Sequence, residues 1–158
     1  PACLFGVLQK DAVIKNLNVE GTVTPSGDSE NIGGIVGENH GTIESCTFNG
    51  SVSGKRSVGG IVGRNLATGI VRACDASGAI FGQSMTGGIV GEKLGSIVSC
   101  RGRAYVNIES TDPSIDLSNL NLEFSLDLAK LSRADTLNTA TDTGGIAGYS
   151  SGAIASSW

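Results

Sequence analysis

Aromatic side chains are scarce in this sequence, with four Phe, two Tyr and one Trp in 158 residues. A chain of this length can bury a sizeable core, but here that core has to be lined by Val, Ile and Leu. Charge is scarce as well. Asp, Glu, Lys and Arg make up 16% of the residues, against about a quarter in an ordinary domain. The formal net charge of −4 speaks against the basic footprint of a nucleic-acid binder and against a membrane-attracted surface. No apolar run approaches the ~18 residues that span a bilayer, so membrane insertion is not expected, and Pro1 to Gly6 does not read as a secretory signal. Histidine occurs once, as His40.

Glycine is what the chain has in quantity, 24 residues of it, and it is periodic. GGIVG stands at Gly33 to Gly37, Gly59 to Gly63 and Gly87 to Gly91, and GGIAG at Gly144 to Gly148. The first two intervals are one repeat of 26 to 28 residues, and the last is about two. A second block follows each pentapeptide: Ile43, Cys46, Phe48, Val52, then Val71, Cys74, Ala76, Ile80, then Ile97, Cys100, Gly102, Val106. Ile14, Leu17, Val19 and Val23 fit it upstream, and Ile154 with Ser157 opens a final copy. The doubled interval is therefore one insertion, Asn107 to Asp142.

Small or β-branched apolar slots separated by Gly and polar residues describe short strands joined at tight corners. One such coil cannot bury its own inner face, whereas stacked coils bury a continuous one. The expected fold is an all-β, single-stranded parallel β-helix, right-handed by the general rule for parallel crossovers. It has about four coils and a partial fifth, at 3–31, 32–57, 58–85, and 86–106 with 143–158. Stacking should create internal ladders of Ile35, Ile61, Ile89 and Ile146, of Ile43, Val71 and Ile97, and of Cys46, Cys74 and Cys100. Glycines such as Gly33, Gly34, Gly37, Gly41 and Gly50 would serve corners of positive φ or close approach between coils. Outward slots offer a check on the register. Lys15, Glu44 and Arg72 form one column, Glu38, Arg64 and Glu92 another, and Asp75 meets Arg101, with signs alternating between neighbouring coils. Asn39 and Asn65 stack after GGIVG, where Asn tolerates left-handed backbone and can ladder its amides.

The run GGIVGENHGTIESCTFNGSVSG, Gly33 to Gly54, resembles the GLUG repeat, a β-helical motif of bacterial surface and secreted proteins. The resemblance covers nearly everything outside the insertion, and Cys3-Leu4-Phe5-Gly6 looks like a degenerate first copy with Cys3 where the family has Gly. GLUG repeats occur beside IgA-specific metallopeptidases and in adhesin-like chains, and they carry no catalytic motif. The resemblance implies an extracellular or cell-surface location and a non-catalytic scaffold or adhesin role, with a glycan or protein of host or cell wall as partner. The alternative is a carbohydrate-binding or polysaccharide-degrading β-helix domain.

The candidate chemistry is thin. Cys46, Cys74 and Cys100 recur at the repeat period and not at the C-x-x-C spacing of a zinc site, so a buried thiol ladder is the simpler account than a metal or disulfide. Catalysis by a β-helix needs converging carboxylates or a metal held by several oxygens, whereas the outward acids here interleave with Arg and Lys. His40 in a turn reads as a solvated loop residue and not as a base. No GGxGxDxUx repeat marks a calcium β-roll. No enzyme activity, metal or cofactor is expected. The insertion lacks glycine and carries seven acids against two bases, which suits either a surface excursion or a partner-contacting, cation-attracting loop. Leu120, Leu122, Phe124, Leu126 and Leu128 alternate like a strand, while Leu117, Leu120, Phe124, Leu128 and Leu131 fit a helical stripe. The last block stops at Trp158 and neither end carries a polar cap, so the chain is expected to be a piece of a longer solenoid that associates end to end or is poorly soluble when alone.

Overall fold

A computed structural model describes residues 3–107 and 141–158, and within them every regular element is a strand. The chain winds through four sheets in fixed order. Sheet I holds β1 (Phe5–Leu8), β5 (Val36–Asn39), β9 (Val62–Asn65), β13 (Val90–Lys93) and β17 (Ala147–Ser150). Sheet II holds β2 (Val13–Lys15), β6 (Thr42–Glu44), β10 (Ile70–Arg72), β14 (Ser96–Val98) and β18 (Ile154–Ala155). Sheet III, with the longest strands, holds β3 (Asn18–Val23), β7 (Thr47–Ser53), β11 (Asp75–Phe81) and β15 (Arg101–Val106). Sheet IV holds β4 (Glu30–Gly33), β8 (Arg56–Gly59), β12 (Ser84–Gly87) and β16 (Thr141–Gly144). Every pairing joins a strand to its equivalent one coil away, and all are parallel. The protein is a parallel β-solenoid.

Parallel pairing without slippage brings like residues together, because a shift of one residue would turn the buried slots outward. Ile14, Ile43, Val71, Ile97 and Ile154 pair in one row across sheet II. The backbone at Ile35, Ile61, Ile89 and Ile146 continues the ladder through the bend between sheets IV and I, with Ile35 N donating to Ile61 O at 3.1 Å and Ile61 N to Ile89 O at 2.9 Å. Ile35, Ile61 and Ile89 are sealed from solvent, and Ile146, on the last coil, is half-buried. Val36, Val62 and Val90 stack beside them, and Phe5 occupies the same row, so Cys3 to Gly6 is the first copy in register.

The repeated glycines mark where backbones nearly touch. A Cβ on Gly34 would stand 2.6 Å from Phe48 Cγ, and one on Gly60 would stand 2.6 Å from Ala76 Cβ and collide with the Gly88 carbonyl. These glycines face the inner row Val19, Phe48, Ala76, Gly102 of sheet III. Gly34 leaves room for the largest member, Phe48, which is 1% exposed. Of the corner glycines named from sequence, only Gly50 has left-handed φ, at +158°. Gly21, Gly27, Gly78 and Gly152 share positive φ, but most positive-φ positions carry side chains. Asn16, Ser45, Ala73, Ser99 and Ser156 turn the chain from sheet II into sheet III at φ of 47° to 54°, and Asn31, Ser57, Met85 and Asp142 kink sheet IV at 51° to 55°. Close approach forbids a Cβ altogether, as at Gly34 and Gly60, whereas a left-handed corner only disfavours one and is held here by Asn, Ser, Ala and Met as well as by Gly27.

Asn107 and Thr141 both lie in the stack. Asn107 N donates to Ile80 O at 2.8 Å, its amide donates to Thr143 Oγ1 at 3.0 Å, and Thr141 pairs with Ser84. The excursion expected over 107–142 is therefore shorter at each end. The strand and stripe patterns from Leu117 to Leu131 lie outside the described residues.

Candidate functional site

Two interior columns and one set of exterior columns carry the polar and reactive groups. The first interior column is sulfur. Cys46, Cys74 and Cys100 begin the turn into sheet III on successive coils, each is at most 1% exposed, and all are free thiols. Each donates to the carbonyl two residues back, at 3.3 Å to Glu44, 3.2 Å to Arg72 and 3.4 Å to Val98. The contact with the Cys100 sulfur, and then burial, push the Cys74 thiol above its ordinary range. That same contact lowers Cys100, against the opposing effect of burial. Sealed and with Cys74 kept protonated, the ladder packs as small hydrophobes with weak S–H donors. Cys3 stands apart at the half-buried start of the chain, its thiol also raised by burial.

The second interior column is amide. Asn39 and Asn65 end equivalent strands of sheet I, are fully buried, and join through Asn39 Nδ2 to Asn65 Oδ1 at 2.8 Å. Neither has left-handed backbone, contrary to the turn expected from sequence. Asn39 Oδ1 accepts from Gly41 N at 3.0 Å, and Asn65 Nδ2 donates to Gly69 O at 3.2 Å, so the amides replace backbone partners that the bend into sheet II cannot supply. The next place in this column belongs to Lys93, which is 1% exposed. Its Nζ donates to Ser151 O at 3.3 Å across the last coil, and burial lowers its pKa. The signal was present in sequence, since GGIVG is followed by Glu-Asn, Arg-Asn and Glu-Lys in turn.

Outside, the charged columns stack in register. Glu44 lies between Lys15 and Arg72 and pairs with Arg72 at 2.9 Å. Arg64 lies between Glu38 and Glu92 and pairs with Glu92 at 2.9 Å, though its N–H is not aligned for a hydrogen bond. Glu38 instead accepts from Asn31 Nδ2 at 2.6 Å beside a cavity of about 190 Å3 lined by Gly6, Val7, Glu30, Asn31 and Glu38. Asp75 and Arg101 are neighbours in register, but the ion pair forms diagonally, from Arg103 to Asp75 at 2.8 Å. Arg101 turns to Trp158, whose ring centroid lies 5.0 Å from its Cζ. Arg72 and Arg64 reach the carboxylates directly opposite them, whereas at Asp75 the diagonal Arg103 extends over the carboxylate and makes a second contact through Nε at 3.1 Å. His40 is half-buried at the bend from sheet I to sheet II, and its carbonyl accepts from Thr68 Oγ1 at 2.8 Å. Among the described residues no group of three metal-ligating side chains comes together.

The coil that runs from β4 to β7 and the coil from β8 to β11 each match the model of the GLUG motif, over residues 28–53 and 54–80. No curated protein and no solved structure matches the chain. Residues 28 to 80, two full turns of the solenoid, are thus two consecutive GLUG motifs.

Proposed function

We propose that this chain is a non-catalytic repeat module of a bacterial surface or secreted protein, a rigid scaffold that displays side chains for adhesion. The observation that carries the proposal is how the outward carboxylates are used. Glu44, Glu92, Asp75 and Asp28 each meet a cation from the neighbouring coil or turn, and Glu38 is held by an amide. Acids committed to such contacts support a stacked scaffold, and in the cavity that Glu30 and Glu38 share, Glu38 is already held by the Asn31 amide. The GLUG match over two coils supports a repeat module, and the surface location is inferred from where such repeats stand in other proteins. A glycan array followed by analysis of the bound sugars tests the reading. Binding that leaves every glycan intact is expected. Shortened or unsaturated products would overturn it in favour of a polysaccharide-degrading domain.

A further inference from the structure

The outer face of sheet III changes character along the stack. Along β7 the outward slots are Thr47, Asn49 and Ser51, and along β11 they are Asp75, Ser77 and Ala79, with Phe81 at the strand end. On β15 the outward slots are Arg101, Arg103 and Tyr105, alternating with the half-buried Gly102, Ala104 and Val106. Residues two apart on a strand project to the same side at about 7 Å spacing, so the three form a row. Trp158 extends this row into the next coil. Its N–H donates to Cys100 O at 2.9 Å and its carbonyl accepts from Gly102 N at 2.7 Å, which seats it directly over Arg101.

Four planar groups are thereby set on one surface, and two of them are held in place. Arg103 is fixed by two contacts to Asp75, and Arg101 lies against the Trp158 ring. Tyr105 is 57% exposed and Trp158 61% exposed, so both rings keep large free areas. Among the described residues no carboxylate lies within 4.0 Å of Arg101, which leaves its charge available.

We propose that this platform binds an acidic polysaccharide, with sugar rings lying on Tyr105 and Trp158 and a sugar carboxylate met by Arg101, beside the Arg103 that Asp75 holds. The inference rests on the adhesive reading and gives that reading a site. Flat C–H faces of pyranose rings suit aromatic surfaces, and a guanidinium recognises a carboxylate through paired hydrogen bonds. Groups already held in position lose little entropy on binding. Two arginines on a chain of net charge −4 neutralise too few phosphates to hold a nucleic acid by counterion release, which favours the sparser charge of a uronate chain.

The whole chain should be titrated with polygalacturonate, with dextran as a neutral polymer, and with a single-stranded oligonucleotide. Binding of polygalacturonate alone is expected, weakened by roughly 0.5 M salt because the contact is partly ionic. Tyr105→Ala and Arg101→Gln should each weaken it by about tenfold or more, as truncation of an anchor residue does, while Lys15→Gln on sheet II leaves it unchanged. All three positions are exposed, and unchanged circular dichroism would show that the fold is kept. No binding of polygalacturonate, or tighter binding of the oligonucleotide, would overturn the proposal. Glycan binding that survives both sheet III variants would also sink this site, yet leave the adhesive reading standing. Cleavage of the polymer would instead defeat that reading itself.

Discussion

Lys93 is the residue at which the internal order of the stack is most compromised. It takes the third place in a column that two asparagines fill with complementary amides, and it brings a cation into a site 1% exposed. Its folded-state pKa is lowered by burial, so at pH values between that pKa and the unfolded value of about 10.4 the unfolded chain binds more protons. Stability therefore rises with pH across that alkaline window, and the cost of the buried charge is carried in full below it. Lys93→Asn should remove this slope and extend the amide ladder. Urea unfolding at several pH values is the measurement, and an unchanged slope in the variant would mean that the lysine escapes to solvent. Thr86 poses the neutral counterpart. It sits in the row of Ile32 and Val58, and its hydroxyl is buried without a partner. Thr86→Val keeps the shape and removes the orphan, so a gain of about 1 kcal/mol is expected in the same assay.

At the scale of the element, each bend is decided by which backbones must pass within reach of one another. The pentapeptide glycines allow sheets IV and I to fold together over the sheet III row. Gly60→Ala would drive its new methyl into Gly88 and Ala76, and since a backbone carbonyl cannot swing aside the cost should be about 3 kcal/mol. Chemical denaturation reads this directly. A neutral result would show that the coils can slide apart. The thiol ladder gives an independent measurement on the neighbouring bend. Cys46, Cys74 and Cys100 should resist a thiol reagent in the native protein and react fully once it is unfolded, with Cys3 reacting first. Fewer than four reactive thiols in denaturant would reveal a disulfide.

For the whole molecule, stability is a sum over neighbouring coils, because each turn touches only the turns above and below it. The join at the insertion illustrates how little a coil asks of distant chain. Asn107 and Thr143 are within hydrogen-bonding distance, so the gap between them can be closed by a few residues. Replacing residues 108–140 with a short Gly-Ser linker should leave the β-type circular dichroism and the cooperative melting of the stack intact. Loss of cooperative unfolding in that variant would assign the segment to the core. A long excursion can be added at such a join at low cost, since loop closure grows only slowly with length.

How much of this was legible beforehand follows from what a period can encode. Repeated GGIVG blocks and the Ile-x-x-Cys spacing determined that the strands are parallel, that Ile43 falls on Val71 and Ile97, and that Cys46, Cys74 and Cys100 share a column, because identical units stacked in register can bury their apolar slots in one way. The charged columns followed from the same register. Choices made between rows, and not along one, were decided only in three dimensions. Asp75 chose Arg103 over Arg101, the amide ladder expected of Asn39 and Asn65 lies buried and without left-handed backbone, and Ala73 and Met85 took left-handed corners. A sequence repeat states which residues are equivalent, but side-chain reach and backbone clearance across a bend depend on distances that exist only once the coils are stacked.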